Sequence, residues 1–85
     1  MTPLHAQLHG KELSEPELDV LRAAAEGLSA EETAARLIKS PHTIVTQRRA
    51  VEAKLGARNL AHAVALAYDQ GILSRRRAGD RRRPT

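Results

Sequence analysis

Apolar residues recur along this chain at helical spacing, in four stretches parted by short polar or glycine breaks. Leu18, Leu21, Ala25 and Leu28 sit three and four residues apart, as on one buried helix face. Ahead of them, Ser14 with Glu17 makes a capping box, Pro16 is tolerated in the first turn, and Gly27 predicts the stop. Ser29 with Glu32 is a second capping box. It predicts a short helix with Ala34 and Leu37 inward, and Ile38 too if the turn allows it. Lys39-Ser40 break that helix, and Ser40 can cap a third whose first position is Pro41. There Ile44, Val51 and Leu55 mark the core face, and Val45, Thr46, Arg48 and Arg49 fall largely elsewhere. Gly56 is the predicted end.

Asn59 can cap a fourth helix over about 60–70, closed by Gly71 and followed by Ile72 and Leu73. Ala61, Ala63, Val64, Ala65, Leu66 and Ala67 make it apolar nearly all round. Such a helix is either fully buried or shared with another subunit; the plainer reading is that alanines simply form helices well. In so small a domain full burial is hard, so self-association through Ala61, Val64, Ala65 and Tyr68 is the expectation. Tyr68 serves as core plug or as interface anchor.

Composition narrows the class to one all-α domain. The chain has 85 residues, no Trp or Phe, and Tyr68 as its single aromatic, so Ala, Leu, Val and Ile must do the packing. Cysteine is absent, which excludes disulfide scaffolds and cysteine-based metal sites. His5 and His9 are spaced i, i+4 but have no Asp or Cys nearby, so they read as solvated tail residues rather than metal ligands. The first twelve residues, with Pro3 and Gly10, read as a disordered lead-in. They lack the pattern of a secretory signal, and no run is long enough to span a membrane. A cytoplasmic protein follows.

Charge changes the picture more. The formal net charge is +4, but residues 74–85 hold six Arg and one Asp, leaving residues 1–73 slightly acidic. Within that core, residues 12–32 hold seven acids against Arg22 alone. Residues 39–58 hold Lys39, Arg48, Arg49, Lys54 and Arg58 against Glu52 alone. One acidic side and one basic side give a domain an orientation toward a polyanion. The low-complexity tail, including Arg75, Arg76 and Arg77, is expected to be disordered in the free protein.

Taken together, LSEPELDVLRAAAEGLSAEETAARL, SPHTIVTQRRAVEAKLG and ARNLAHAVALAYDQGIL resemble the DNA-binding domain of LuxR-type (GerE-like) transcriptional regulators, continuously over residues 13–73. The Leu13-Ser14 opening, the Gly27-Leu28-Ser29 joint, the Ser40, Thr43, Ile44 entry and Lys54-Leu55-Gly56 carry the match by their order and spacing. The resemblance implies four helices, the second and third forming a helix-turn-helix and the fourth commonly dimerising. It implies a recognition helix over about 41–55, with Val45, Thr46 and Arg49 toward base edges and Thr43 near the backbone. Ser40, His42, Arg48, Lys54, Arg58 and the tail arginines Arg75, Arg76 and Arg77 are backbone candidates from charge and placement; for His42 a solvated helix-start role stands beside that one.

Departures from the family pattern are specific. Val45 stands where Lys is usual and Gln47 where His is frequent. Ala30-Glu31 replace an Asn-Lys pair near phosphate, and Glu31 has the wrong sign for that place. Thr33 stands for Ile and Pro16 for Arg. At the turn, Ile38-Lys39 replace Gly and an apolar residue. Either Ile38 avoids the left-handed conformation and takes the core position, or the turn differs.

No nucleophile elbow, glycine-rich phosphate loop or paired acids point to an enzyme, and no cofactor is expected. The leading expectation is a free-standing regulator that binds double-stranded DNA as a homodimer, in the cytoplasm at the nucleoid. It would be controlled by abundance or by a partner, since 85 residues leave no room for a receiver or ligand-binding domain. The alternative is a protein-interaction module that binds another regulator or RNA polymerase, with DNA contact secondary. A third reading, a domain like region 4 of sigma factors, leaves Lys54-Leu55-Gly56 and the fourth helix unexplained.

Overall fold

The computed structural model describes residues 10–74. Four helices follow one another, α1 (Glu15–Ala25), α2 (Ala30–Leu37), α3 (Pro41–Leu55) and α4 (Leu60–Asp69), with no strand among the described residues. The all-α, four-helix expectation holds. His5 and His9, and the tail arginines Arg75, Arg76 and Arg77, lie outside the described residues.

Each helix begins where a side-chain oxygen can take up an orphan amide. Ser14 Oγ accepts from the Glu17 amide at 3.3 Å while Glu17 Oε1 accepts from the Ser14 amide at 2.9 Å. Ser29 and Glu32 repeat this reciprocal pair. Ser40 Oγ accepts from the Thr43 amide, and Asn59 Oδ1 from the His62 amide. His62 adds a second bond, its Nδ1 accepting from the Arg58 amide at 3.0 Å.

All four helices end alike. The amides of Gly27, Gly56 and Gly71 each reach back three residues, and those of Leu28, Ala57 and Ile72 reach back five. These are Schellman pairs, with left-handed residues at Gly27, Gly56 and Gly71 (φ 89, 69 and 79°). At the end of α2 the same pair is made by Ile38 and Lys39, bonded to Ala35 and Ala34. Ile38 therefore does take the left-handed conformation, at φ 57° and ψ 57°. Its side chain does not reach the core but is 90% exposed. The turn keeps the Schellman geometry of the other helix ends and loads the strain on a β-branched residue.

That placement yields a stability prediction. A left-handed L-residue costs roughly 1–2 kcal/mol, and here no burial offsets it. Ile38→Gly should raise stability by about 1 kcal/mol after the extra entropy of the unfolded glycine chain is subtracted, or about 4–8 °C in Tm. Thermal and urea unfolding of the variant would show the gain; a loss would mean the turn relies on the isoleucine side chain.

α3 is the central element, in contact with α1, α2 and α4, while α2 and α4 do not touch each other. Its first half enters a small cluster with Val20 and Ala34 through Ile44. Its second half enters the larger cluster through Val51 and Leu55, with Leu21, Ala57, Ala63, Ala67 and Leu73. The buried stripe of α1 is broader than its periodicity predicts: Val20, Leu21 and Ala23 are buried, whereas Leu18, Ala25 and Leu28 are half-buried. The reason is that α1 faces α2 and α3 on one side and α4 on another. Thr33, fully buried, satisfies its hydroxyl by donating to the Ser29 carbonyl at 2.8 Å.

Polar ties hold α3 at a fixed angle. Lys54 Nζ lies 2.6 Å from Glu17 Oε1, with both side chains largely buried. Arg48 Nη2 donates to the Leu28 carbonyl at 3.0 Å, joining α3 to the α1–α2 corner. Gly10, which the sequence places in the lead-in, donates its amide to the Lys54 carbonyl at 2.8 Å and so satisfies an orphan acceptor at the end of α3. The chain is thus docked against the domain from residue 10 onward.

Candidate nucleic-acid interface

Because Ile44, Val51 and Leu55 are held inward, the opposite side of α3 must face solvent. At 3.6 residues per turn, His42, Val45, Thr46 and Arg49 follow one another at i, i+3, i+4 and i+7 on that side, and all four are exposed. Nothing on α1, α2 or α4 covers this stripe. It is a convex helix surface with one cation, one imidazole, one hydroxyl and one apolar side chain, of a width that fits a DNA major groove.

The first turn of α3 suits a phosphate. It contains no acidic residue, unlike the first turns of α1 (Glu15, Glu17) and α2 (Glu31, Glu32). The positive end of its dipole is therefore not neutralised from within. Ser40 and His42 are exposed there, and Ser40 Oγ also lies 3.0 Å from Thr43 Oγ1, which orients both hydroxyls. Thr43 itself is half-buried.

Other basic side chains are placed less freely than their charge suggests. Lys54 is committed to Glu17 of α1. Arg48 is half-buried, spends one nitrogen on the Leu28 carbonyl, and has its Nε enclosed without a partner among the described residues. Arg49 and Arg58 are exposed. Their neighbours in sequence gave no signal of this split, which depends on which face of α3 each residue occupies. Glu31 is exposed at the start of α2, where Glu32 is occupied in the capping box.

On α4, Ala63 and Ala67 are fully buried while Ala61, Ala65 and Asp69 are exposed, and Val64 and Tyr68 are half-buried. The helix is therefore not wholly enclosed by its own chain. Its outer stripe runs from Ala61 through Ala65 to Asp69.

A short helix, a three-residue break and a longer helix with its outer face free define a helix-turn-helix domain. Bacterial regulatory proteins of the luxR family match residues 11–67, more than half of the chain. The chain belongs to that family, and with it to the DNA-binding transcriptional regulators. None of the curated proteins matches it. No helix among the described residues is long and apolar enough to cross a membrane.

Proposed function

We propose that this protein regulates transcription by laying α3 in the major groove of double-stranded DNA, as a homodimer paired through α4. The observation that carries the reading is the exposed stripe His42, Val45, Thr46 and Arg49 on a helix whose other side is locked into the core. Arg49 is the candidate for a two-pronged bond to guanine O6 and N7. Ser40, His42 and Thr43 at the start of α3, with Arg58, are the candidate backbone contacts. Arg75, Arg76 and Arg77 add sequence-independent attraction to phosphate. Arg48 and Lys54, bonded to the Leu28 carbonyl and to Glu17, hold α3 in place in this reading and leave phosphate contact to the freer cations. Binding of this kind places the protein at the nucleoid.

For the dimer, the exposed small residues on the outer stripe of α4 offer a surface on which two copies could meet. In an antiparallel pair about a two-fold axis, Ala61 and Ala65 of each protomer would allow close packing between the two helices. Val64 and Tyr68 flank the contact. Ala65→Arg should shift the protein to monomer in sedimentation or light scattering with little change in helix content. A wild type that is already monomeric at tens of micromolar would remove this interface.

The function is tested by selecting bound sequences from random duplex DNA, with and without residues 74–85. A two-fold motif that survives removal of the tail supports base reading by α3. No enrichment, with binding that disappears on truncation, would contradict it and favour the alternative, a module that binds another regulator or RNA polymerase. Glu31 and Val45 are the residues that favour that alternative.

Glu31 gives a further prediction. At the start of α2 it stands at the position where the family resemblance implies a lysine near phosphate. Glu31→Lys should raise DNA affinity several-fold at low salt and steepen the log–log salt dependence by about 0.9 for each phosphate gained. Helix stability should fall by only about 0.3–1 kcal/mol, because an acid at a helix start is lost. Anisotropy titrations at several salt concentrations would read both effects.

A further inference from the structure

Val45 is one of two large apolar side chains the described domain leaves exposed, at 39%, and it sits in the middle of the α3 stripe. The other, Ile38, is explained by its place in the turn. Val45 has no such local reason: it is in ordinary helix and caps nothing. Its neighbours on the stripe, His42, Thr46 and Arg49, can all exchange hydrogen bonds with base edges, and Val45 cannot.

We infer that Val45 reads the C5-methyl group of a thymine, so that this regulator selects DNA partly by a methyl contact. The inference rests on the proposed placement of α3 in the major groove. Among major-groove edges, the thymine methyl is the one apolar feature; guanine, adenine and cytosine present only acceptors and donors there. An isopropyl group pressed against the cytosine amino group would strip its water without replacing the bond, and so would also penalise a C·G pair. Val45 and Arg49 are one helical turn apart, about 6 Å along the axis. The thymine therefore lies within about two base pairs, at 3.4 Å each, of the guanine that Arg49 would contact.

The contact can be tested by changing one methyl group on the DNA. Duplexes carrying the motif selected by the wild-type protein are compared with the same duplexes in which single thymines become deoxyuridine. At one position in each half-site, loss of the methyl should weaken wild-type binding about fourfold, the worth of one buried methyl group. On a two-fold site, both losses together should weaken it roughly 15-fold. Val45→Ala, a change at an exposed position that leaves the fold intact, should bind thymine and deoxyuridine duplexes within a factor of two of each other. Placing 5-methylcytosine opposite guanine at that position should recover part of the wild-type loss seen with cytosine. Equal sensitivity in wild type and Val45→Ala would assign the methyl contact to Thr46 and overturn the inference. A motif with no deoxyuridine-sensitive thymine would overturn it while leaving DNA reading by α3 intact. Failure to obtain any motif would overturn the DNA reading itself, and this inference with it.

Discussion

Arg49→Ala is expected to lose sequence-specific DNA binding while the domain folds as well as before. Arg49 is exposed on α3 and makes no bond among the described residues that fixes it, so its removal should change stability by less than about 0.5 kcal/mol. A guanidinium reading guanine O6 and N7 is worth roughly 1–3 kcal/mol against a wrong base. On a two-fold site that contribution enters twice, so affinity for the selected motif should fall by one to four orders of magnitude. Binding to random DNA should fall much less, since phosphate contacts and the arginine tail remain. Arg48→Ala, one residue away, should do the reverse. It removes the bond to the Leu28 carbonyl and should cost about 1 kcal/mol of stability, with a smaller effect on specificity. If the two variants behaved alike, the assignment of α3 faces would be wrong.

Glu17→Gln carries the largest expected effect on stability. One oxygen, Glu17 Oε1, accepts both the Ser14 amide at 2.9 Å and the Lys54 ammonium at 2.6 Å, with the side chains of Glu17 and Lys54 only 13% and 15% exposed. Glutamine keeps the shape and can still close the capping box. What it cannot do is balance the Lys54 charge. Breaking a buried pair by removing one partner costs 3–5 kcal/mol when burial is complete. With the remaining solvent access here, about 2–3 kcal/mol is expected, or about 10–20 °C in Tm for a domain of this size.

The same pair sets a pH dependence. Burial pushes the Glu17 carboxyl up, but the bonds from Lys54 and from the Ser14 amide, with the Lys54 charge, outweigh it and hold the group below its ordinary value of 4.5. A carboxyl depressed in the folded state adds stability that is fully present above its unfolded value and lost as pH falls through the folded value. Wild type should therefore weaken as pH drops from 5 toward 3, and Glu17→Gln should show a shallower decline. Urea unfolding at pH 7 and at acid pH would measure both; an equally steep decline in the variant would place the acid sensitivity elsewhere.

How much of this was legible beforehand follows from how local each signal is. Helix starts at Ser14, Ser29, Ser40 and Asn59, and stops at Gly27, Gly56 and Gly71, depend on a few adjacent residues, and each lies where the sequence predicts. Sequence alone leaves Ile38 undecided because two local rules collide there. A Schellman end wants a left-handed residue, and a β-branched side chain resists it; the bonds of the turn prevailed. The extra buried residues of α1, Val20 and Ala23, were not visible in one stripe because they answer to several partner helices.

The candidate site divides the same way. That Val45, Thr46 and Arg49 share an exposed face follows from spacing along α3 once Ile44 and Val51 are inside. The partners of Arg48 and Lys54 do not follow, because charge alone does not say where a long side chain ends. Lys54 reaches a carboxylate 37 positions away in the chain, and Arg48 reaches a carbonyl 20 positions away. Only packing brings those partners together.

DNA binding of the proposed kind requires α3 to present its outer face to the duplex. Amide chemical-shift mapping of the full chain, titrated with short duplex DNA, tests that most directly and needs no knowledge of the operator. The largest shifts should fall at Ser40, His42, Thr43, Val45, Thr46 and Arg49, with the α1 residues Glu15 and Asp19 and the α4 residues Ala61 and Ala65 nearly unmoved. Shifts centred on α1 or α4, with His42 to Arg49 unchanged, would contradict it.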